Sequence, residues 1–413
     1  MRINRALGAS CAFLCFFVAA NAWGQTFVFS KSFGVGPNPR DIVAPDLDDD
    51  GLPEIITADT GLLSDPREER PANDELSLLR AQGELDYVKH TPSLKTGFAP
   101  YSVFIANIDA QRMPDIVVAC FMAVRNRDLV LHRNLPDNLF ESLEFRVPDE
   151  GLEYRRPTDG DGAPIFTVPG LTSVAVGDID HDGYRDAVCA GWSSDAIIIF
   201  PGNAERYFDI PRAIPAHGGP RDLQLHDFNG DSHLDIAATL YARGEIALWE
   251  GDGKGGFTPA GRFPARGKLP TALRIADVNG DGISDIVVAH SHADDAIVVF
   301  YGDGGFRYSI SQEFLVGENR EVVEHDIVDI VAEDLTGNGR IDIAAACFAS
   351  AQVILFANTS EDTSRHQQFR RENYTLREGR PRALCSADFN RDGKRDLAVA
   401  QWEPDAVQLM LGR

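Results

Sequence analysis

The feature that most constrains this chain is a nine-residue acidic pattern that recurs seven times. The copies are DLDDDGLPE at 46–54, NIDAQRMPD at 107–115, DIDHDGYRD at 178–186, DFNGDSHLD at 227–235, DVNGDGISD at 277–285, DLTGNGRID at 334–342 and DFNRDGKRD at 388–396. A recurring unit of about 50 residues is the mark of a repeat architecture, in which no unit buries its apolar face alone. Each loop is preceded by a short apolar segment such as SVAVG at 173–177. A second follows it, such as DIVVA at 285–289, and then a third, such as AIVVF at 296–300. A weaker fourth segment leads into the next copy. These lengths and β-branched contents predict strands rather than helices.

Four strands per unit is one propeller blade, and closure into a ring leaves no long free sheet edge. The expected fold is therefore all-β, a seven-bladed β-propeller of four-stranded antiparallel blades. The last copy supplies only three strands before Arg413, while TFVFSKSF at 26–33 precedes the first loop with no blade of its own. That segment is predicted to close the ring as the outer strand of the last blade.

The first residues read as an export signal. Arg2 and Arg5 precede an apolar run from Ala6 to Ala20, with a small-residue exit after Ala22 or Gly24. The expected organisation is a signal peptide over 1–24 and one propeller over 25–413, secreted or periplasmic and monomeric, with no membrane span after cleavage. The excess of 63 acidic over 39 basic residues, net −24, argues against nucleic acid and anionic membranes as partners. Cys120, Cys189, Cys347 and Cys385 are too widely spaced for a metal cluster. Buried thiols are expected, with one disulfide between neighbouring blades as the alternative.

Oxygen-bearing side chains at loop positions 1, 3, 5 and 9 can converge on a hard cation, and glycine at position 6 allows the bend. Four carboxylates this close repel one another without such an ion. The candidate ligands are Asp46, Asp48, Asp50 and Glu54; Asp178, Asp180, Asp182 and Asp186; Asp227, Asn229, Asp231 and Asp235; Asp277, Asn279, Asp281 and Asp285; Asp334, Thr336, Asn338 and Asp342; and Asp388, Asn390, Asp392 and Asp396. Loops 46–54 and 178–186 are the fullest. Loop 334–342 is weaker, and loop 107–115, with Asn107, Gln111 and Arg112, is expected to be empty. About five or six structural Ca²⁺ ions are anticipated.

The DxDxDGxxD loop, its following DIVVA-like strand and turns such as GDGKGGF at 251–257 resemble the FG-GAP/VCBS repeat family, which includes the integrin α-subunit head. The resemblance covers essentially all of 26–413. It implies calcium loops on one face and partners on the other, and extends to adhesion, lectin-like binding, assembly and some lyases.

Blade geometry places two further sets of residues at the end opposite the loops. Six residues before each loop stand Arg40, Tyr101, Thr172, Arg221, Thr271, Val328 and Arg382, which should ring the axial mouth. Six residues after each loop stand Thr60, Phe121, Trp192, Tyr241, Ser291, Phe348 and Trp402. Arginines suit carboxylate, sulfate or phosphate, and aromatic faces suit sugars or peptide side chains. The candidate ligand-binding set is Arg40, Tyr101, Arg221, Arg382, Trp192, Tyr241 and Trp402. Two plainer roles stand beside this one: the arginines pair with Asp41, Asp222 or other acidic neighbours, and the aromatics fill space between blades. The insertions at 60–74 and 150–168 should decorate the same face.

No nucleophile elbow, zinc motif or dinucleotide fingerprint is present. The histidines at 290 and 292, and His217, His226 and His233, are weak catalytic candidates. The leading expectation is a non-catalytic module that binds a protein or anionic glycan. The alternative is a polysaccharide lyase or hydrolase that uses the arginine-lined face.

Overall fold

The computed structural model describes residues 25–61, 73–109, 111, 113–122, 127–148, 169–291, 296–316 and 325–413. It is an all-β propeller of seven antiparallel blades. Blade 1 runs outward from Pro39–Val43 through Ile55–Asp59 and Glu75–Gly83 to Asp86–Lys89. Blades 2 to 6 begin at the axis with Phe98–Ala106, Leu171–Gly177, Pro220–His226, Pro270–Ala276 and Ile327–Glu333. In each the chain then steps outward strand by strand. Blade 3 carries an extra small hairpin of Gly202–Asn203 with Tyr207–Phe208 before its outer strand.

Blade 7 closes the ring as the sequence predicts. Its inner strands are Arg380–Ala387, Asp396–Trp402 and Ala406–Gly412, and its outer strand is Phe27–Gly34. The N-terminal strand pairs antiparallel with Ala406–Gly412, from Phe27 opposite Gly412 to Gly34 opposite Ala406. It is also tied to blade 6. The Phe27 N–H donates to the Tyr374 hydroxyl at 3.0 Å, and Thr26 donates through its N–H and its hydroxyl to Glu372, both at 2.8 Å.

The position of a strand in its blade explains its composition. Second and third strands are covered on both faces by neighbouring blades, so they are apolar throughout rather than alternating. Asp285–His290 and Ala296–Tyr301 are buried at every residue. Outer strands such as Leu139–Phe145 alternate exposed and partly covered residues. The core is accordingly a ring of inter-blade clusters. One joins Val287 and Val299 of blade 5 to Ile343 and Ile354 of blade 6. Another joins Phe27 and Met410 of blade 7 to Val353 and Leu355 of blade 6, on the far side of the closure.

Cys120, Cys189 and Cys347 are buried, Cys385 is half-buried, and all four are free thiols. Burial pushes the Cys120 thiol up to about 12, which suits a small apolar filler rather than a reactive group. No helix among the described residues is long and apolar enough to cross a membrane.

The acidic loops join first to second strands, and their sixth residue has positive φ: 84° at Gly51, 90° at Gly183, 84° at Gly282, 79° at Gly339 and 81° at Gly393. Loop 227–235 forces the same conformation on Ser232, at φ 71°. Glycine adopts this region without a Cβ penalty. Ser232→Gly is therefore expected to stabilise the protein by about 1 kcal/mol, read as a higher urea midpoint. An unchanged or lower midpoint would show that the serine is not strained.

Candidate functional site

Two arrays of side chains stand at opposite ends of the innermost strands. At one end are the acidic loops. In loops 46–54, 227–235, 277–285, 334–342 and 388–396 the first residue accepts hydrogen bonds from the backbone of the fifth and sixth. Asp277, for example, takes Asp281 N–H at 3.0 Å and Gly282 N–H at 2.8 Å. In loop 178–186 Asp178 accepts Gly183 N–H, whereas Asp182 N–H turns to Asp180. The ninth residue works in the opposite direction. Asp285 accepts Val278 N–H at 2.9 Å and, from the end of the third strand, Gly302 N–H at 2.8 Å. Asp115, Asp186, Asp235, Asp342 and Asp396 repeat this double tie. Glu54 takes the Leu47 N–H at 2.8 Å.

Carboxylate oxygens of Asp46, Asp48 and Asp50 lie within 4.8 Å of one another, as do those of Asp178, Asp180 and Asp186. Burial, reinforced by the other loop acids, raises the ninth-position carboxyls, to about 7 at Asp285 and about 6 at Asp186 and Asp396. Oxygen donors whose negative charge is costly fit a hard divalent cation. In loops 227–235, 277–285 and 388–396 the asparagine amide donates to the fifth-position aspartate, at 3.0, 3.0 and 3.2 Å. Those loops carry one negative charge less. In loop 334–342 the Asn338 amide turns to the Asn358 carbonyl at 2.9 Å, and the buried Thr336 hydroxyl oxygen has no hydrogen-bond partner.

At the other end, all seven residues expected at the axial mouth line one cavity of about 290 Å³: Arg40, Tyr101, Thr172, Arg221, Thr271, Val328 and Arg382. Their local backbone explains why. In every blade the pairing of first with second strand slips at this residue: between Pro39 and Asp41, Pro100 and Ser102, Leu171 and Ser173, Pro220 and Leu223, Pro270 and Ala272, Ile327 and Asp329, and Pro381 and Ala383. A bulge re-aims a side chain that regular pleating would send elsewhere. Five of the seven mouth residues follow a proline, a signal visible in the sequence that strand counting overlooks.

The arginines do not pair with Asp41 or Asp222. Asp41 accepts the Ile42 and Val103 N–H groups, both at 2.8 Å. Asp222 holds Arg274 at 3.0 Å. Among the described residues, Arg40, Arg221 and Arg382 form no ion pair; they lie on aromatic faces instead. Arg40 sits 5.3 Å from the Tyr101 ring, Arg221 is 5.0 Å from Tyr241, and Arg382 is 4.0 Å from Phe348 and 5.5 Å from Trp402. The aromatics thus support the cations as well as filling space. Tyr101 continues through Phe121 to Trp192, with ring centroids 5.6 and 6.1 Å apart, and Phe348 stacks on Trp402 at 5.6 Å. The buried Nε atoms of Arg40 and Arg382 have no hydrogen-bond partner. Burial, then the Arg40 charge, works against the Arg382 cation. Burial alone would raise the Tyr101 phenol, but Arg221, Arg40 and Arg382 together pull it below the ordinary tyrosine range.

Below the mouth lies a polar belt that the sequence reading missed. Asp41 bonds Val103 N–H of blade 2. Asp222 takes Leu273 N–H of blade 5 and Asp329 takes Leu384 N–H of blade 7, both at 2.9 Å. Blade 5 has Ala272 at this register, and Arg274 spans the gap from Asp222 to Asp329, 2.7 Å away. The belt positions immediately follow the mouth residues, but aspartate, serine and alanine alternate there and conceal the pattern.

The histidines do not assemble. His290 is fully buried, with Nδ1 on the Ala296 carbonyl at 3.2 Å. His226 bonds Ser284, and the His233 ring packs at a tilt against His181, centroids 5.3 Å apart. Position 292, most of 60–74 and all of 150–168 lie outside the described residues.

An FG-GAP-like repeat model matches residues 178–238, 227–288 and 277–345. These are FG-GAP-like repeats, and the same loop and strand unit recurs in the remaining blades of the propeller. No curated protein matches by sequence. Among solved structures, BBS1N in complex with ARL6DN is similar at a TM-score of 0.60, with 13% identity over 94% of this chain and 97% of that one. A catalytically inactive virginiamycin B lyase from Staphylococcus aureus, with quinupristin, is similar at 0.53, with 12% identity over 93% and 99%. A protein from Lactobacillus plantarum is similar at 0.53, with 16% identity over 82% and 85%. At these identities the likeness is one of fold.

Burial, opposed by the Val103 hydrogen bond and reinforced by the Asp329 charge, pushes Asp41 up to about 6. Its folded value lies above its unfolded one, so the stability linked to its protonation is fully present below about pH 4 and lost as pH rises through about 6. The stability of wild type relative to Asp41→Asn should fall by roughly 2 kcal/mol over that window. A flat difference in urea midpoints across it would contradict this.

Proposed function

We propose that this chain is an exported, calcium-stiffened binding module whose axial mouth takes an anionic group of a glycan or protein ligand. The observation that carries this reading is the convergence of Arg40, Arg221 and Arg382, from three separate blades, on one cavity where none forms an ion pair among the described residues, Asp326 supporting the Arg382 charge from farther off. Three cations held on aromatic faces, two with an unused buried Nε, form a site short of an anion. Guanidinium groups recognise carboxylate, sulfate or phosphate through paired hydrogen bonds. The flanking Tyr241, Trp192 and Trp402 offer faces to the rest of the ligand. Similar folds occur in a complex of two proteins and in a lyase, so the scaffold is compatible with either kind of use.

The acidic loops would hold calcium through Asp46, Asp48, Asp50, Asp178, Asp180, Asp182, Asp186 and their equivalents. Bound there, the ion supplies positive charge to carboxylates that otherwise repel, and it stabilises the folded ring by linkage.

A second reading has its own observation. The Tyr101 hydroxyl lies 3.5 Å from Arg40 Nη1, and the surrounding arginines favour its ionised form. A phenolate beside carboxylate-neutralising arginines is suited to taking a proton α to a uronate carboxylate, the first event of a lyase.

One experiment separates these readings. Wild type, the triple variant Arg40→Gln/Arg221→Gln/Arg382→Gln, and Tyr101→Phe are screened with calcium against carboxylated and sulfated glycans, for retention and for unsaturated products. The binding module predicts retention that weakens by about 100-fold or more in the triple variant and persists in Tyr101→Phe, with no product from any form. Product formed by wild type and lost in Tyr101→Phe establishes the lyase. Retention unchanged in the triple variant removes the mouth as the site.

A further inference from the structure

The acidic loops differ in an unexpected respect: in two of them a largely buried arginine of the third strand is aimed at the third loop position. In blade 2, His132 of the third strand faces Ile116, so Arg133 comes next to the ninth loop residue, Asp115. Its guanidinium reaches the third loop position. Nε and Nη2 donate to Asp109 Oδ2 at 3.1 and 2.7 Å, and Nη1 pairs with Glu141. The ring of Tyr207 lies 4.7 Å beneath it. Both members of the Asp109 pair are largely buried, with side chains 14% and 4% exposed. The fifth position, Gln111, contributes its carbonyl to the Asn107 amide.

Blade 1 repeats the placement. Leu79 faces Ile55, so Arg80 comes next to Glu54. Arg80 is 7% exposed, and its Nη1 lies 3.8 Å from Oδ2 of Asp48, again the third loop position. The Phe140 ring lies 5.6 Å away. Unlike Arg133, Arg80 makes no hydrogen bond from Nε, Nη1 or Nη2. It is a buried cation aimed at a loop whose Asp46, Asp48 and Asp50 already converge. The equivalent residues of blades 3 to 7 are Pro201, Glu250, Tyr301, Ala357 and Leu411, none of which is cationic.

A guanidinium at the third position does part of what a metal ion does there, because it neutralises a buried carboxylate. Its charge also repels any cation sharing that carboxylate. We propose that Arg133 is the permanent cation of loop 107–115, and that Arg80 is a resident cation of loop 46–54 which weakens calcium at that loop. The second half rests on the reading that these loops bind calcium. It reverses the order given by ligand counting, which ranks loop 46–54 among the strongest.

The test is a competition titration of the chelator-stripped chain with Ca²⁺ against a chromophoric chelator, with bound ions counted by native mass spectrometry. In Arg80→Met one site should tighten by about tenfold or more, with no change in ion number. The gain should vanish in Arg80→Met/Asp48→Asn, which locates it to loop 46–54. Arg80→Lys keeps the charge and should titrate close to wild type. Arg133→Met should melt lower by about 3 °C or more, by the same amount with chelator and with calcium, because no ion replaces the lost guanidinium. Wild type that binds calcium while Arg80→Met leaves every site unchanged overturns the role of Arg80 alone. Wild type that binds no calcium overturns the calcium reading with it. Arg133→Met melting like wild type in chelator overturns the role of Arg133.

Discussion

The ring depends on one carboxylate per blade. The ninth loop residue ties the loop backbone to its own strand and, in six blades, to the end of the third strand. A buried backbone N–H without a partner costs about 1–3 kcal/mol, so each of these oxygens holds a turn that would otherwise open. The cost is a negative charge under the surface, visible as the raised carboxyls of Glu54, Asp186, Asp285 and Asp396. Nearby cations meet that cost. Arg133 and Arg80 are buried examples from third strands, Arg212 lies beside Asp180 and Asp186, and the loops otherwise offer oxygen sets suited to a metal ion.

The same economy of paired charges runs along the axis. Asp41, Asp222 and Asp329 link neighbouring innermost strands, and Arg274 of blade 5, which has Ala272 at this position, joins Asp222 to Asp329. One residue earlier in each blade the logic is inverted. Arg40, Arg221 and Arg382 have aromatic faces in place of carboxylates. The belt charges are paired within the chain, whereas among the described residues the mouth arginines form no ion pair and rest on aromatic rings.

Much of this was legible in the sequence because it repeats in register. The loop pattern gave the blade number, the continuous apolar runs of the second and third strands reported burial on both faces, and TFVFSKSF without a blade pointed to the closing strand. Counting six residues back from each loop identified all seven mouth residues, because the bulge lies at a constant distance from the loop in every blade. The rest required coordinates for physical reasons. Asp41 and Asp222 read as possible partners for the mouth arginines, but the bulge after Pro39 and Pro220 sends successive side chains different ways. Arg80 and Arg133 come from third strands, about two dozen residues beyond the loops they reach and behind insertions of unequal length, so no spacing connects them. The position-nine acids look like metal ligands alone in sequence, and only the backbone shows them also holding the loop closed.

The central claim is that the acidic loops form a set of cation sites graded by what already neutralises them. Anomalous diffraction from crystals grown in millimolar calcium tests this most directly. The account predicts strong peaks at loops 178–186, 227–235, 277–285 and 388–396, weaker ones at 46–54 and 334–342, and none at 107–115, where Arg133 stands. A calcium peak on Asp109, or no peak at loop 178–186 with its full set of carboxylates, would contradict it.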